Sequence, residues 1–293
     1  MAKMTDCNRR EFLCAGGTVL AGEALYRTAV ASPGLMATPR RAAERKVPVI
    51  DCHSHVGISR AGPAVDLTDP YYTVGGEPER FIRHMQEAGI DRKVVFPVEC
   101  TTFKEANEEV AEICRRYPDK FIGFAKHNPV TEKGQIRDLL FREVHELGLR
   151  GLKLHVEPST EMLDVVRELG IPVLYHPRQV ALYEDFVPAY PTINFILAHL
   201  GSDQSKDWRE HLAGIELAKS YPNVYLDTST VVLTRYLEKA VQELPAEKLI
   251  FGSDEPGVDC RLEIYKIRVL KLPREKEELI LGGNMLRLLG GRL

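Results

Sequence analysis

One pattern dominates this chain: eight short runs of large apolar and β-branched residues, all but one followed by a stretch with helical periodicity. The runs cover residues 49–55, 93–98, 121–125, 150–155, 171–176, 193–199, 224–227 and 249–254. They lack period-two polarity, which marks strands covered on both faces, as in a parallel sheet. Helical stretches are expected at 79–88, 106–116, 135–147, 162–169, 212–219, 234–243 and 262–270. Strand, helix and strand at such short spacing imply right-handed crossovers. Eight units of this kind close most naturally into a TIM (β/α)8 barrel, with reactive groups at the C-terminal ends of the strands. The competing doubly wound sheet would carry a Gly-x-Gly-x-x-Gly turn after its first strand, and none is present.

The first residues read as an address. Asn8-Arg9-Arg10-Glu11-Phe12-Leu13 resembles the twin-arginine export motif, a short apolar segment follows, and Ala29-Val30-Ala31 offers a small-residue cleavage site. Residues 1–31 are therefore expected to be a signal peptide read by the export machinery, which would place the protein in a bacterial periplasm. Without a working leader it would stay in the cytoplasm. Glu23 and Arg27 interrupt the apolar stretch, so no stable membrane span is expected. Residues 32–46, with Pro33, Gly34, Pro39 and several basic residues, read as a linker. The barrel is expected over 47–293, close to the roughly 250 residues typical of that fold. With 39 Lys and Arg against 42 Asp and Glu, the net charge of −3 supplies no field for a phosphate backbone, so nucleic acid is not an expected partner. Cys52, Cys100, Cys114 and Cys260 follow neither a zinc-ribbon nor a dense disulfide spacing and read as mostly buried thiols.

Chemistry-bearing residues end several of the strands. His53 and His55 share a face by the period of two and can offer two imidazole ligands from one rigid element. His176 ends the fifth strand, His199 the sixth and Asp254 the eighth. Taken singly, each has an ordinary structural explanation as a cap or a satisfied core residue; four strands delivering imidazole or carboxylate to one rim is a stronger signal.

The runs Asp51-Cys52-His53-Ser54-His55, Gly151-Leu152-Lys153-Leu154-His155, Pro172-Val173-Leu174-Tyr175-His176, Ala198-His199-Leu200-Gly201 and Phe251-Gly252-Ser253-Asp254-Glu255-Pro256 resemble, in order and spacing, the amidohydrolase superfamily. Within it they are similar to the amidohydrolase-related branch that includes aminocarboxymuconate-semialdehyde decarboxylase and dicarboxylate lactonases. The resemblance implies that His53, His55, His176 and Asp254 hold one divalent metal ion. His199 would act on the substrate or, as in some relatives, serve as a further ligand. Zinc is expected from an imidazole and carboxylate set, which manganese would also tolerate. Asp254 is then the expected proton acceptor and His199 the group that orients substrate or stabilises an oxyanion.

Lys153 lies on the strand where some superfamily members carbamylate a lysine to bridge two metals; here it is expected to stay cationic, paired with a substrate carboxylate or with Glu157. His155 and His127 are further pocket candidates. Arg178 is a candidate clamp for a substrate carboxylate, or else pairs with Glu184. Asp51 is expected to orient ligands rather than bind metal.

These residues and the resemblance point to a metal-dependent hydrolase that cleaves an ester, lactone or amide bond of a small molecule, carboxylated or not, through water activated by the metal. The same electrostatic frame would serve a non-oxidative decarboxylase, the first alternative. A barrel that binds a ligand without turnover is the second. Whether the protein assembles into a homo-oligomer is left open.

Overall fold

Parallel pairing runs without reversal around the molecule. The computed structural model describes residues 47–57, 75–100, 102–291 and 293. The expected leader, the linker and most of the loop after the first strand lie outside the described residues. β1 (Ile50–Asp51) and β2 (His55–Val56) both pair with β3 (Arg92–Pro97), which pairs with β4 (Phe121–Gly123). One residue later β5 (Ala125–Lys126) begins a second set: β6 (Leu152–Leu154), β7 (Val173–Tyr175), β8 (Phe195–Leu197), β9 (Val224–Asp227) and β10 (Leu249–Ile250). The seam between the last strand and the first is closed by Cys52 N to Phe251 O at 2.9 Å, Asp254 N to His53 O at 2.8 Å and His55 N to Glu255 O at 2.7 Å. The result is the expected TIM barrel.

The crossovers carry α1 (Pro78–Ala88), α2 (Lys104–Arg116), α3 (Ile136–His145), α4 (Thr160–Leu169), α5 (Trp208–Ser220), α6 (Arg235–Glu243) and α7 (Cys260–Arg268). Two 3-10 turns, Val180–Asp185 and Val187–Ala189, replace a helix between β7 and β8. α4 shows why such segments start and stop where they do: Ser159 accepts the N–H of Met162 at 3.2 Å, and Gly170 takes the left-handed conformation that ends the helix.

Two apolar layers follow from the alternation of side chains along each strand. Val94, Phe96, Ile122, Phe124, Leu174, Ile196 and Ile250 fill the barrel, with Met285, Leu288 and Leu289 from the C-terminal segment packed against them. Val95, Leu152, Leu154, Val173, Phe195 and Leu197 face the helices. Each such side chain contributes about 1.5–3 kcal/mol by leaving water. Cys52, Cys100, Cys114 and Cys260 form no disulfide. Among the described residues, no helix is long and apolar enough to cross a membrane.

The expected continuous first and eighth strands are each interrupted. Regular pairing stops between β1 and β2, and on the eighth strand after Ile250. The interruption separates Asp51 from His53. Asp51 turns to buried Lys93, with which it makes a short ion pair, and accepts Ser253 N at 2.9 Å and Ser253 Oγ at 2.6 Å. Lys93 also meets Glu255 at 2.8 Å and lies over the ring of Phe81 from α1. Asp51 thus fixes the seam and the backbone of His53, accepting its N–H at 3.2 Å, rather than any imidazole.

Candidate metal centre

A cavity of about 720 Å³ opens where the strands end, and His55, Glu99, His155, His176, His199 and Asp254 are on its wall. At its base Oδ1 of Asp254 sits 3.2 Å from Nε2 of His53 and 3.4 Å from Nε2 of His55. Asp254 is held there with φ at 64°, a left-handed conformation that costs most residues free energy and that Asp tolerates better than most. His199, with φ at 58°, shares the feature. Such strain at strand ends persists only where the surroundings impose it, and it aims both side chains into the cavity.

Each of three imidazoles is anchored through Nδ1. His53 Nδ1 donates to Oδ2 of Asp227 at 2.7 Å, both residues fully buried. His55 Nδ1 donates to the carbonyl of Pro97 at 3.2 Å. His199 Nδ1 donates toward the carbonyl of Ser229 at 3.4 Å, with Ser229 Oγ at 2.9 Å and Thr230 Oγ1 at 3.1 Å. Because carbonyls and carboxylates only accept, these contacts set the tautomers and leave the Nε2 lone pairs as donors to a cation.

Charge agrees with this arrangement. Burial holds His55 down to about 4 and His176 to about 3, and pushes His199 well below the ordinary imidazole value, so all three stay neutral at pH 7. Burial and Lys153 press His53 down as well, but Asp254 and Asp227 outweigh them and raise it. Burial opposes ionisation of Asp254 and Asp227, yet the charge of His53 and the hydrogen bonds they accept keep both carboxyls below the usual carboxylate range. The donors of His53, His55 and Asp254 lie within 4.8 Å of one another, as do those of His199, Asp203 and Asp254. The neutral imidazoles of His55 and His199 and an ionised carboxylate at such separations fit a divalent cation, to which His53 would yield its proton on binding.

Of the expected ligands, His53, His55 and Asp254 converge. His176 lines the same cavity, its ring 4.5 Å from that of His199, outside the donor groups that close to 4.8 Å. His155 is on the wall, its ring 5.6 Å from His55. Lys153 is fully buried with Nζ 3.0 Å from His53 Nε2, and burial lowers its pKa to about 7. Its proposed partner Glu157 belongs to a separate, smaller pocket.

Two expected pocket residues are corrected. Arg178 is exposed and does not line the cavity. His127 is buried away from it, with Nδ1 2.9 Å from Glu132 and Nε2 2.7 Å from Glu143; both ring nitrogens are occupied by carboxylates.

Sequence reasoning passed over Asp227, although it ends the seventh strand and the rule that selected Asp254 points equally to it. Gly252 was a second signal: a Cβ there would collide with the Asp227 carboxylate and crowd His53. Glu99, two residues beyond β3, was also passed over.

A family model described as amidohydrolase matches residues 50–291. The chain belongs to the amidohydrolase family. No curated protein sequence matches this amidohydrolase. Among solved structures it is similar to a probable 2-pyrone-4,6-dicarboxylic acid hydrolase of Acinetobacter baumannii with citric acid bound. The two are 18% identical with a TM-score of 0.67, covering 83% of this chain and 100% of the other. A dihydroxybenzoic acid decarboxylase of Polaromonas with bound manganese and 2-nitroresorcinol is 19% identical, with a TM-score of 0.61 over 84% and 98%. An amidohydrolase of Burkholderia multivorans with bound zinc is 16% identical, with a TM-score of 0.67 over 83% and 99%. At these identities the likeness establishes the fold, and the family includes both hydrolases and decarboxylases.

Proposed function

We propose that this amidohydrolase hydrolyses an ester, lactone or amide bond of a small molecule, using one divalent ion, zinc or manganese, held by His53, His55, His176 and Asp254. The observation that supports it is the position of the Asp254 carboxylate against the Nε2 atoms of two imidazoles whose Nδ1 atoms are already engaged. A divalent ion bound there supplies Lewis acidity, which polarises a carbonyl and lowers the pKa of water to about 7.

The chain's own groups do the rest. Asp254, ionised and open to the cavity, accepts the proton of the attacking water. As the carbonyl carbon gains the new oxygen and the bond to the leaving group breaks, Asp254 returns that proton to the departing oxygen or nitrogen. His199 has its Nδ1 proton engaged at Ser229, so Nε2 faces the reaction as an acceptor that orients the water or a donor on the substrate. Asp227 holds His53 in its working tautomer.

Turnover of a panel of lactones, esters and aromatic acids in water labelled with heavy oxygen tests the reading. Label in the product without carbon dioxide supports hydrolysis. Carbon dioxide without label would assign the protein to the decarboxylases of its family instead.

A further inference from the structure

We infer that Thr230 is a positioning residue for the reaction: its hydroxyl brackets the Nδ1–H of His199 and so fixes the direction in which Nε2 of that ring meets the substrate. The inference rests on the role given to His199 above.

Thr230 follows β9 with φ at 54°, in the left-handed region. Crowding of a branched Cβ against the backbone makes that conformation costly for threonine, whereas glycine or asparagine would occupy it with little strain. A threonine in such a place supplies something its backbone does not favour, and its contacts show what. Oγ1 lies 3.1 Å from Nδ1 of His199, donates to Oδ1 of Asp203 at 3.2 Å and accepts the N–H of Gln204 at 3.2 Å. The carboxylate of Asp203 takes the one hydroxyl proton, so toward His199 this oxygen can only accept. Ser229 faces the same ring nitrogen with Oγ at 2.9 Å, and its own proton goes to Oδ2 of Asp227 at 2.6 Å. Two hydroxyls thus bracket one N–H. Ser229 links the ring to the carboxylate that holds His53, and Thr230 links it to Asp203 on the cavity wall.

The strained backbone is clamped from outside the site. Buried Glu263 of α7 accepts the N–H of Thr230 at 2.9 Å and pairs with Lys266 at 2.6 Å, and Lys266 donates to the carbonyl of Val231 at 3.1 Å. One ion pair therefore grips the chain at both ends of the Thr230 and Val231 unit, which lets an unfavourable conformation persist beyond the strand end.

Thr230→Val keeps the branched shape and removes the hydroxyl, whereas Thr230→Ser keeps the hydroxyl. Both are made in the full chain, with folding checked by thermal melting and metal content measured; Thr230→Ala replaces the valine variant should that one fail to fold. In protein labelled with nitrogen-15 at histidine, the His199 signal is assigned by its absence in His199→Gln. In T230V the Nδ1–H of His199 should shift and exchange with water about tenfold faster, the loss of one hydrogen bond, while the signals of His53 and His55 stay in place. On a substrate from the panel above, kcat of T230V should fall by about tenfold with KM and metal content unchanged, and T230S should restore both readings. A His199 signal that T230V leaves unmoved would overturn the inference, as would lost metal or a lower melting point with kcat unchanged, which would make Thr230 a structural residue only. The spectroscopic arm needs no turnover: a shifted His199 signal in a chain that hydrolyses no ester, lactone or amide would refute the proposed hydrolysis and leave the placement of His199 standing.

Discussion

Nζ of Lys153 lies 3.0 Å from Nε2 of His53, the ring nitrogen that Asp227 does not hold. An amine at that distance from a proposed metal ligand would either repel the ion, when protonated, or join its ligands, when neutral. Burial has brought its pKa to about 7, where the two forms are balanced.

Lys153→Met is therefore expected to tighten metal binding by roughly tenfold to a hundredfold, since a like charge is removed from the edge of the site. Competition with a chelator of known affinity measures it. Weaker binding in the variant would show the amine, or a carbamate made from it, to be a ligand.

Asp227→Asn should keep the fold and lose grip on the ion. An asparagine can present its amide N–H₂ to His53 Nδ1 and so favour the wrong tautomer, and loss of such a partner typically costs about 10–100-fold in metal affinity. Metal content after dialysis against chelator reads this directly, and full retention would remove Asp227 from the metal-supporting set.

For Asp254→Asn, saturated with metal, turnover should drop by about a hundredfold to ten-thousandfold, the usual contribution of a positioned acid or base. Steady-state rates with metal content determined in parallel separate lost proton transfer from lost metal. An unchanged rate at full occupancy would shift the base role elsewhere.

His127 predicts a pH effect on stability that has nothing to do with catalysis. Burial opposes its charge, but Glu132 and Glu143 raise its pKa to about 9, above the 6.5 of an unperturbed imidazole. A raised folded-state pKa means that the stabilisation is complete below about 6.5 and is lost as pH rises through about 9. Relative to His127→Gln, the wild type should lose on the order of 3 kcal/mol of stability across that window. Denaturant unfolding at pH 6 and pH 10 checks it; parallel profiles would count against the clamp.

The barrel was legible because eight apolar runs separated by helical periods allow few closures, and the same reading marked His53, His55, His199 and Asp254 at strand ends. Period-two counting failed where the chain leaves regular pairing. Asp51, expected to orient ligands, is turned to Lys93 by the break between β1 and β2, which leaves His53 facing Asp227 and Asp254. His127 followed a strand just as His155 did, and only tertiary contacts show that Glu132 and Glu143 hold it. Asp227 was visible as a residue but not as a partner, because its role depends on His53 from a distant position in the chain.

The seam between Ser253 and Asp51 also sets an order of events during synthesis. His53 and His55 emerge from the ribosome about two hundred residues before Asp254, so a nascent chain owns half a binding pocket throughout that interval. A metal ion bound at the proposed site would therefore have to wait until Asp254 has been made.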